Sequence, residues 1–251
     1  MAVKNCLGLI RHTQDLYVDE VSRRIGEKTV ILDIGSGKTT PFHKALKPGI
    51  TLIGADISAE ELRHNPYVHR ALVCDVSRSI PLPDSSVDMV VSRSVLEHIP
   101  NVESFTREAM RLLRPGGWFI HALPARFAPF AIANSLLPES VKTRLLRAVH
   151  DDYNGICGFP AVYDRCWPTG IQNVVRAVGF ELKELRCEFY SSDYYNFFLP
   201  AFLVSLVYDS FTKTVGIRNL CAQMLVIAQK PSSPSADSLP ADSENHNPTG
   251  R

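Results

Sequence analysis

Short apolar runs alternate with amphipathic stretches along most of this chain, and the alternation sets its first reading. Val30-Ile31-Leu32 opens a run over 29–33 that fits a strand buried on both faces. Similar β-rich runs follow at 51–55, ending at Asp56, and at 71–74, ending at Asp75. Others lie at 87–92, 118–123, 180–189 and 221–229. Between them, apolar residues at helical spacing predict helices. One is a lead-in over 14–25, packing through Leu16, Val21 and Ile25. A short one over 59–64 has Ser58 as cap and Glu61 completing a capping box. Phe105, Ala109, Leu112 and Leu113 mark one face of a helix over 102–113, stopped by Arg114-Pro115-Gly116-Gly117. A further helix is predicted over 170–178. Strand, helix and strand in repetition predict a doubly wound α/β fold.

The rhythm fails twice. Residues 124–167 and 190–219 are rich in aromatics and prolines and are expected as cap insertions over a substrate site. The 197–208 stretch is almost wholly apolar but too short to span a bilayer. It is read as a cover for the active site or core, with peripheral membrane contact through 194–208 or a subunit interface as the alternatives. Residues 1–28 form the lead-in, 29–230 the domain, and 231–251 a polar tail expected to be disordered.

Composition narrows the partners. The 251 residues suit one core, with 45% apolar and 21% charged residues. A net charge of +1, from 27 basic and 26 acidic residues, disfavours nucleic acid. Six cysteines, at 6, 74, 157, 166, 187 and 221, lack C-x-x-C spacing. A zinc site or disulfide scaffold is therefore not expected, and a reducing, cytoplasmic location is. The first fifteen residues lack the apolar core of a secretory signal.

Chemistry concentrates in VILDIGSG, residues 30–37. A strand stops there in a glycine turn, at the edge where open α/β sheets bind ligands. Lys38-Thr39 imitates the end of a phosphate-binding loop, but position 32 holds Leu where that loop needs its first glycine. Asp56 ends the next strand, where a carboxylate accepts ribose hydroxyls in dinucleotide folds.

Five segments in order carry a family resemblance: VILDIGSG, LIGADIS, LVCDV, LPDSSVDMVVSRSVLEHI and REAMRLLRPGGWFI. Together they resemble the class I, Rossmann-like S-adenosylmethionine-dependent methyltransferases, of the small-molecule, type 11-like kind. The resemblance implies a seven-stranded, mostly parallel sheet with one antiparallel strand near its edge, inside a three-layer α/β/α sandwich. It implies S-adenosylmethionine as cofactor. Gly35, Ser36 and Gly37 would pass under its methionine part, with Asp33 near the amino group. Asp56 and Ile57 would meet the ribose, Asp75 and Val76 the adenine, and Ser92 and Arg93 would complete the site. Thr39 departs from the family, which carries a third glycine there.

The acceptor is expected to be a small, apolar, aromatic or lipid-like molecule, with O-methylation preferred. His98 after the fourth strand is the candidate general base, with His121 behind it. Arg126, Phe127, Tyr153, Phe159, Tyr163 and Trp167 are expected to form one pocket wall, and Tyr194, Tyr195, Phe197 and Phe198 another. No metal is expected. An RNA or protein methyltransferase, a non-catalytic cofactor-binding module and an NAD-dependent oxidoreductase are the alternatives. An Asn-Pro-Tyr segment at 65–67 imitates the adenine-methylating motif but sits after the second strand, where it reads as a turn.

Overall fold

The computed structural model describes residues 13–136, 161–190 and 199–232. Seven strands form one sheet: β1 (Val30–Ile34), β2 (Thr51–Asp56), β3 (Arg70–Val73), β4 (Val87–Arg93), β5 (Leu113–Pro124), β6 (Glu181–Glu188) and β7 (Gln223–Gln229). Their order is β3-β2-β1-β4-β5-β7-β6. All neighbours run parallel except β7, which is antiparallel to both β5 and β6. The expected mostly parallel sheet with one antiparallel strand near its edge is therefore present. Strand order reverses between β1 and β4, which leaves a crevice at their carboxyl ends.

Alternate residues of each central strand face opposite layers, so both faces must be covered. Leu32, Ile34, Val90 and Phe119 pack with Phe105 and Leu112 of helix α3 (Val102–Leu112) and with Ile171 and Val175 of helix α5 (Pro168–Val178). On the other face, Ile31, Met89, Val91 and Ile120 pack with Tyr17 and Val21 of helix α1 (Thr13–Ser22). Helix α2 (Ala59–Arg63) and short turns at His43–Ala45 and Leu96–His98 also precede β5. Helix α4 is Pro129–Leu136 and helix α6 is Leu199–Val215.

Several expected boundaries move, each for a local reason. Helix α1 ends at Ser22, short of the expected 25; its buried positions are Thr13, Tyr17, Glu20 and Val21, while Leu16 and, past the helix end, Ile25 are half-buried. A polar side chain turns inward because Glu20 is met by Arg24, just past the helix end, and by Arg186 of β6 at 3.0 Å. Helix α5 begins at Pro168, ahead of the expected start, because proline is welcome at the first helical position. Leu113 leaves the α3 face and opens β5, which runs through the Pro-Gly-Gly segment. Gly116 and Gly117 exchange backbone hydrogen bonds with Lys230 beyond β7, and the Lys230 ammonium donates to the carbonyls of Met110 and Leu113 at the end of α3.

Candidate functional site

The site grows from the end of β1. Gly35 and Gly37 both adopt positive φ (63° and 51°), the left-handed region that side chains disfavour. The Gly35 and Ser36 amides donate to the Ala55 carbonyl of β2, at 2.7 and 3.3 Å. A Cβ on Gly35 would lie 2.4 Å from a Val95 methyl, so the glycine lets the loop after β4 close against the turn. Thr39, the departure from the family pattern, has no positive φ, so this turn does not require glycine there.

Two side chains hold the turn from outside. The Asp56 carboxylate accepts the Gly37 N–H at 3.0 Å and the Ser58 N–H at 2.9 Å. The second bond corrects the expected capping box. Ser58 Oγ does accept the Glu61 N–H at 3.2 Å, but the Glu61 carboxylate turns to Lys38 at 3.1 Å. Asp56 takes over the returning half of the box. Asn65 is buried, and its amide reaches the carbonyls of Ser36 (3.3 Å) and Gly37 (3.2 Å), while its oxygen accepts the Tyr67 N–H at 3.1 Å. It is a turn residue, as its sequence suggests, and also a clamp on the glycine loop. Only the fold brings these roles together.

Asp33 lies beneath the turn, enclosed, with the Ser36 hydroxyl donating to it at 3.1 Å. Burial drives its carboxyl up to about 7; the Ser36 hydrogen bond and the Arg93 guanidinium oppose the rise, and Asp56 adds to it. Tyr17 of α1 is fully buried, and burial, with the charge of Asp33 nearby, raises its phenol pKa; the sequence shows it only as one aromatic in a short helix.

The other expected cofactor residues fall in two groups. Ile57 is exposed just past Asp56, and Asp56 pairs in register with Val73, also exposed. Together they offer an apolar surface beside a carboxylate. Asp75 lies at the same edge, past β3. Its Oδ1 accepts both the amide (3.0 Å) and the hydroxyl (2.6 Å) of Ser77, which hold its pKa below the usual carboxylate value, with Arg78 at 3.3 Å. Val76 is half-buried beside it. Ser92 points the other way: it is fully buried, and its Oγ meets His121 Nδ1 at 2.7 Å. His121 is enclosed between Phe119 and Phe105, and burial pushes its pKa down to about 3. Both are core groups of the sheet interior, which removes the Ser92 side chain and the His121 ring from the crevice.

On the acceptor side, His98 ends the Leu96–His98 turn and remains half-exposed, with its Nε2 3.8 Å from Glu97 Oε1. In the sequence Glu97 is one letter of the LPDSSVDMVVSRSVLEHI segment. The structure buries its carboxyl and burial raises its pKa to about 8; Oε2 has no hydrogen-bond partner among the described residues. The Glu97 carbonyl accepts the amides of Val162 (2.7 Å) and Tyr163 (2.9 Å), joining the end of β4 to the 161–167 segment. Four residues expected in one pocket wall, Arg126, Phe127, Tyr163 and Trp167, lie near one another there, and Tyr163 is buried in the core. Arg126 donates to the Tyr163 carbonyl at 3.2 Å and lies 5.9 Å from the Trp167 ring, which Phe127 meets at 5.9 Å. Tyr153, Phe159, Tyr194, Tyr195, Phe197 and Phe198 lie outside the described residues. Among the described residues no three His, Cys, Asp or Glu side chains gather to hold a metal ion.

Known proteins resemble this chain in sequence and fold. A family model described as a methyltransferase domain matches residues 32–121. A probable S-adenosylmethionine-dependent methyltransferase of Mycolicibacterium smegmatis is 48% identical over 52 residues, 20% of each chain. An uncharacterized methyltransferase of Mycobacteroides abscessus is 29% identical over 107 residues, covering 40% of this chain and 41% of that one. The chain thus spans less than half the length of these curated relatives. In three dimensions, an S-adenosylmethionine-dependent methyltransferase from Mesorhizobium loti superposes with a TM-score of 0.55 at 18% identity, over 89% of this chain and 100% of that one, a likeness of fold. The matched segment runs from the middle of β1 to His121 and so contains the glycine turn, Asp56, Asp75 and the Glu97–His98 turn. With the strand order and these motifs in place, residues 32–121 resemble the methyltransferase domain of the class I, Rossmann-like S-adenosylmethionine-dependent kind.

Proposed function

We propose that the crevice binds S-adenosylmethionine and that the protein transfers its methyl group to a small, apolar acceptor, with a hydroxyl oxygen as the favoured nucleophile. The observation that carries this reading is Asp33. A carboxyl buried beneath the glycine turn, held near neutrality by desolvation, is suited to a cationic partner such as the cofactor's amino group. The rest of the edge fits the same molecule. Asp56, steadied by two backbone donors, would accept the ribose hydroxyls, and Ile57 and Val73 would flank the adenine. Asp75 would reach the adenine amine while retaining its bonds to Ser77.

Bound there, the cofactor would supply an electrophilic methyl group on a sulfonium centre. The chain's own residues then position and exclude. Arg126, Tyr163 and Trp167 wall the acceptor space, anchored through the Glu97 carbonyl to the end of β4. His98 would take the acceptor's hydroxyl proton, with the Glu97 carboxyl beside it as the neighbouring acidic group.

Calorimetry with S-adenosylmethionine, followed by transfer of a labelled methyl group to small-molecule extracts, tests the proposal. Micromolar binding and a labelled apolar product are expected. A folded chain that fails to bind the cofactor would overturn it. Binding without transfer to any extract would favour the non-catalytic module, and label in RNA or protein would favour the macromolecular alternative.

A further inference from the structure

Two thiols meet where the sheet's edge strand ends. Cys187 lies near the end of β6, and Cys221 follows the short turn Arg218–Leu220 that leads into β7. Cys187 pairs in register with Met224, and both pack in the same layer as Cys221. The backbone pins the junction, because the Ala222 amide donates to the Glu188 carbonyl at 2.6 Å. Across it the Cys221 thiol donates a hydrogen bond to the Cys187 sulfur, and neither is in a disulfide. Residues 188–220, which carry helix α6, form the connection between them. Glu188 pairs with Gln223, and Gln223 with Pro124 at the carboxyl end of β5, so both ends of this connection lie on the crevice side of the sheet.

The two thiols are not equivalent. Cys221 is fully buried, whereas Cys187 is half-buried and open to a small molecule. Arg218 donates to the Leu185 carbonyl at 2.8 Å, which holds its guanidinium beside the Cys187 sulfur, and it donates to that sulfur as well. The Cys221 donor, with Arg218 behind it, lowers the Cys187 pKa against the opposing effect of burial. The same hydrogen bond, together with burial, raises that of Cys221. Half-buried Cys74 is the contrast: burial and the carboxylates of Asp75 and Asp56 raise its pKa. A thiolate beside a cation is a nucleophile, and a second thiol touching it is placed to displace whatever it forms.

We infer that Cys187 and Cys221 are a peroxide-reactive dithiol that closes reversibly into a disulfide across the base of the 188–220 connection. The Cys187 thiolate attacks one oxygen of hydrogen peroxide, the O–O bond breaks, and Cys187 becomes a sulfenic acid. The departing hydroxide takes up the proton that Cys187 had released and leaves as water. The Cys221 sulfur then attacks the Cys187 sulfur; the S–S bond forms, the S–O bond breaks, and the hydroxyl leaves with the Cys221 proton as a second water. Two thiols lose two electrons, and one peroxide is reduced to two waters. The bond would fasten both ends of the connection that carries α6, whatever the crevice binds.

The test is mass spectrometry of the full chain, first reduced and then exposed to a small excess of hydrogen peroxide. Loss of two hydrogen masses is expected, mapped to a cross-linked peptide pair holding Cys187 and Cys221 and reversed by dithiothreitol. With limiting iodoacetamide at neutral pH, Cys187 should be alkylated about tenfold faster than Cys74, and Arg218→Ala should cut that advantage about threefold or more. Cys221→Ala should leave a Cys187 sulfenic acid that dimedone traps, and Cys187→Ser should leave neither trap nor cross-link. Circular dichroism checks that each variant is folded. Because Cys221 is buried, the alkylation comparison on the parent and on the exposed Arg218→Ala site decides the matter even if Cys221→Ala does not fold. A folded parent that forms no 187–221 bond would overturn the inference, as would Cys187 alkylated no faster than Cys74. A peroxide-induced bond to another cysteine, or between two copies of the chain, in place of the internal one would also overturn it.

Discussion

The Asp56 carboxylate accepts the Gly37 backbone N–H at 3.0 Å, tying the end of β2 to the glycine turn that follows β1. One residue thereby shapes the turn and presents a charged edge to the crevice. Replacing Asp56 with Ala removes both contributions. A loss of about 2–3 kcal/mol in S-adenosylmethionine binding is expected from hydrogen bonds to a charged group, or roughly 30- to 150-fold in Kd by calorimetry. Unchanged affinity would show that Asp56 holds the turn but does not meet the ribose.

Asn65 works on the same turn from its buried side. Asn65→Ala leaves the Ser36 and Gly37 carbonyls without this donor, at a cost of about 1–3 kcal/mol in stability. Urea denaturation should show a lower midpoint with an unchanged slope. Cofactor affinity should fall as well, because a loosened turn must be ordered on binding.

Gly35 and Val95 form a steric pair. Gly35→Ala places a methyl 2.4 Å from Val95 in a backbone conformation that alanine disfavours. A destabilisation of about 1–3 kcal/mol is expected. Adding Val95→Ala should recover part of it, leaving the backbone strain. A double variant no more stable than Gly35→Ala would show that the clash is not the cause.

The pH dependence of cofactor binding follows from Asp33. Its folded pKa, about 7, lies above the ordinary carboxylate value of 3.8. The folded protein without ligand therefore holds more protons than the unfolded chain between these values, and stability falls as pH rises through that window. A cationic amino group binds the ionised form. Affinity should rise as pH increases toward 7, with proton release measurable by calorimetry in buffers of different ionisation enthalpy. Asp33→Asn should weaken binding and abolish the pH dependence; persistence of that dependence would point to another group.

His98 and Glu97 can be separated by their variants. His98→Ala should lower the rate of O-methyl transfer about 10²-fold or more if the ring accepts the acceptor's proton, with cofactor affinity little changed. Full activity across pH would exclude the base role. The Glu97 carboxyl, raised by burial to about 8, makes stability fall as pH rises from its ordinary value of 4.5 through about 8. Glu97→Gln keeps the shape without the charge, so the variant should lose that decline in pH-dependent thermal melts.

The motifs lay in the local pattern and so were legible. Leu32 and Ile31 alternate faces in β1 because both faces of a parallel strand are covered, and that requirement is written as an apolar run. Asp56 ends β2 because the strand stops at the crevice. The long-range partners were not legible. Glu20 is inward because Arg186 approaches from the far end of the chain, and nothing in the helical pattern of residues 13–22 announces a buried ion pair. His121 looked like a strand-end base, yet it faces the aromatic interior because strand alternation alone does not say which side is the crevice. Glu97 was hidden because its environment is made by residues 161–167, distant in sequence.

By itself, the order of residues determined the fold class, the glycine turn and the position of its carboxylates, because these depend on local periodicity, on backbone freedom at glycine and on motif order. Tertiary structure alone decided which carboxyl groups are desolvated, that Asn65 clamps the turn, and that α6 presents its apolar side outward. Burial and charge environment are sums over residues far apart in sequence, and only the packed chain performs that sum.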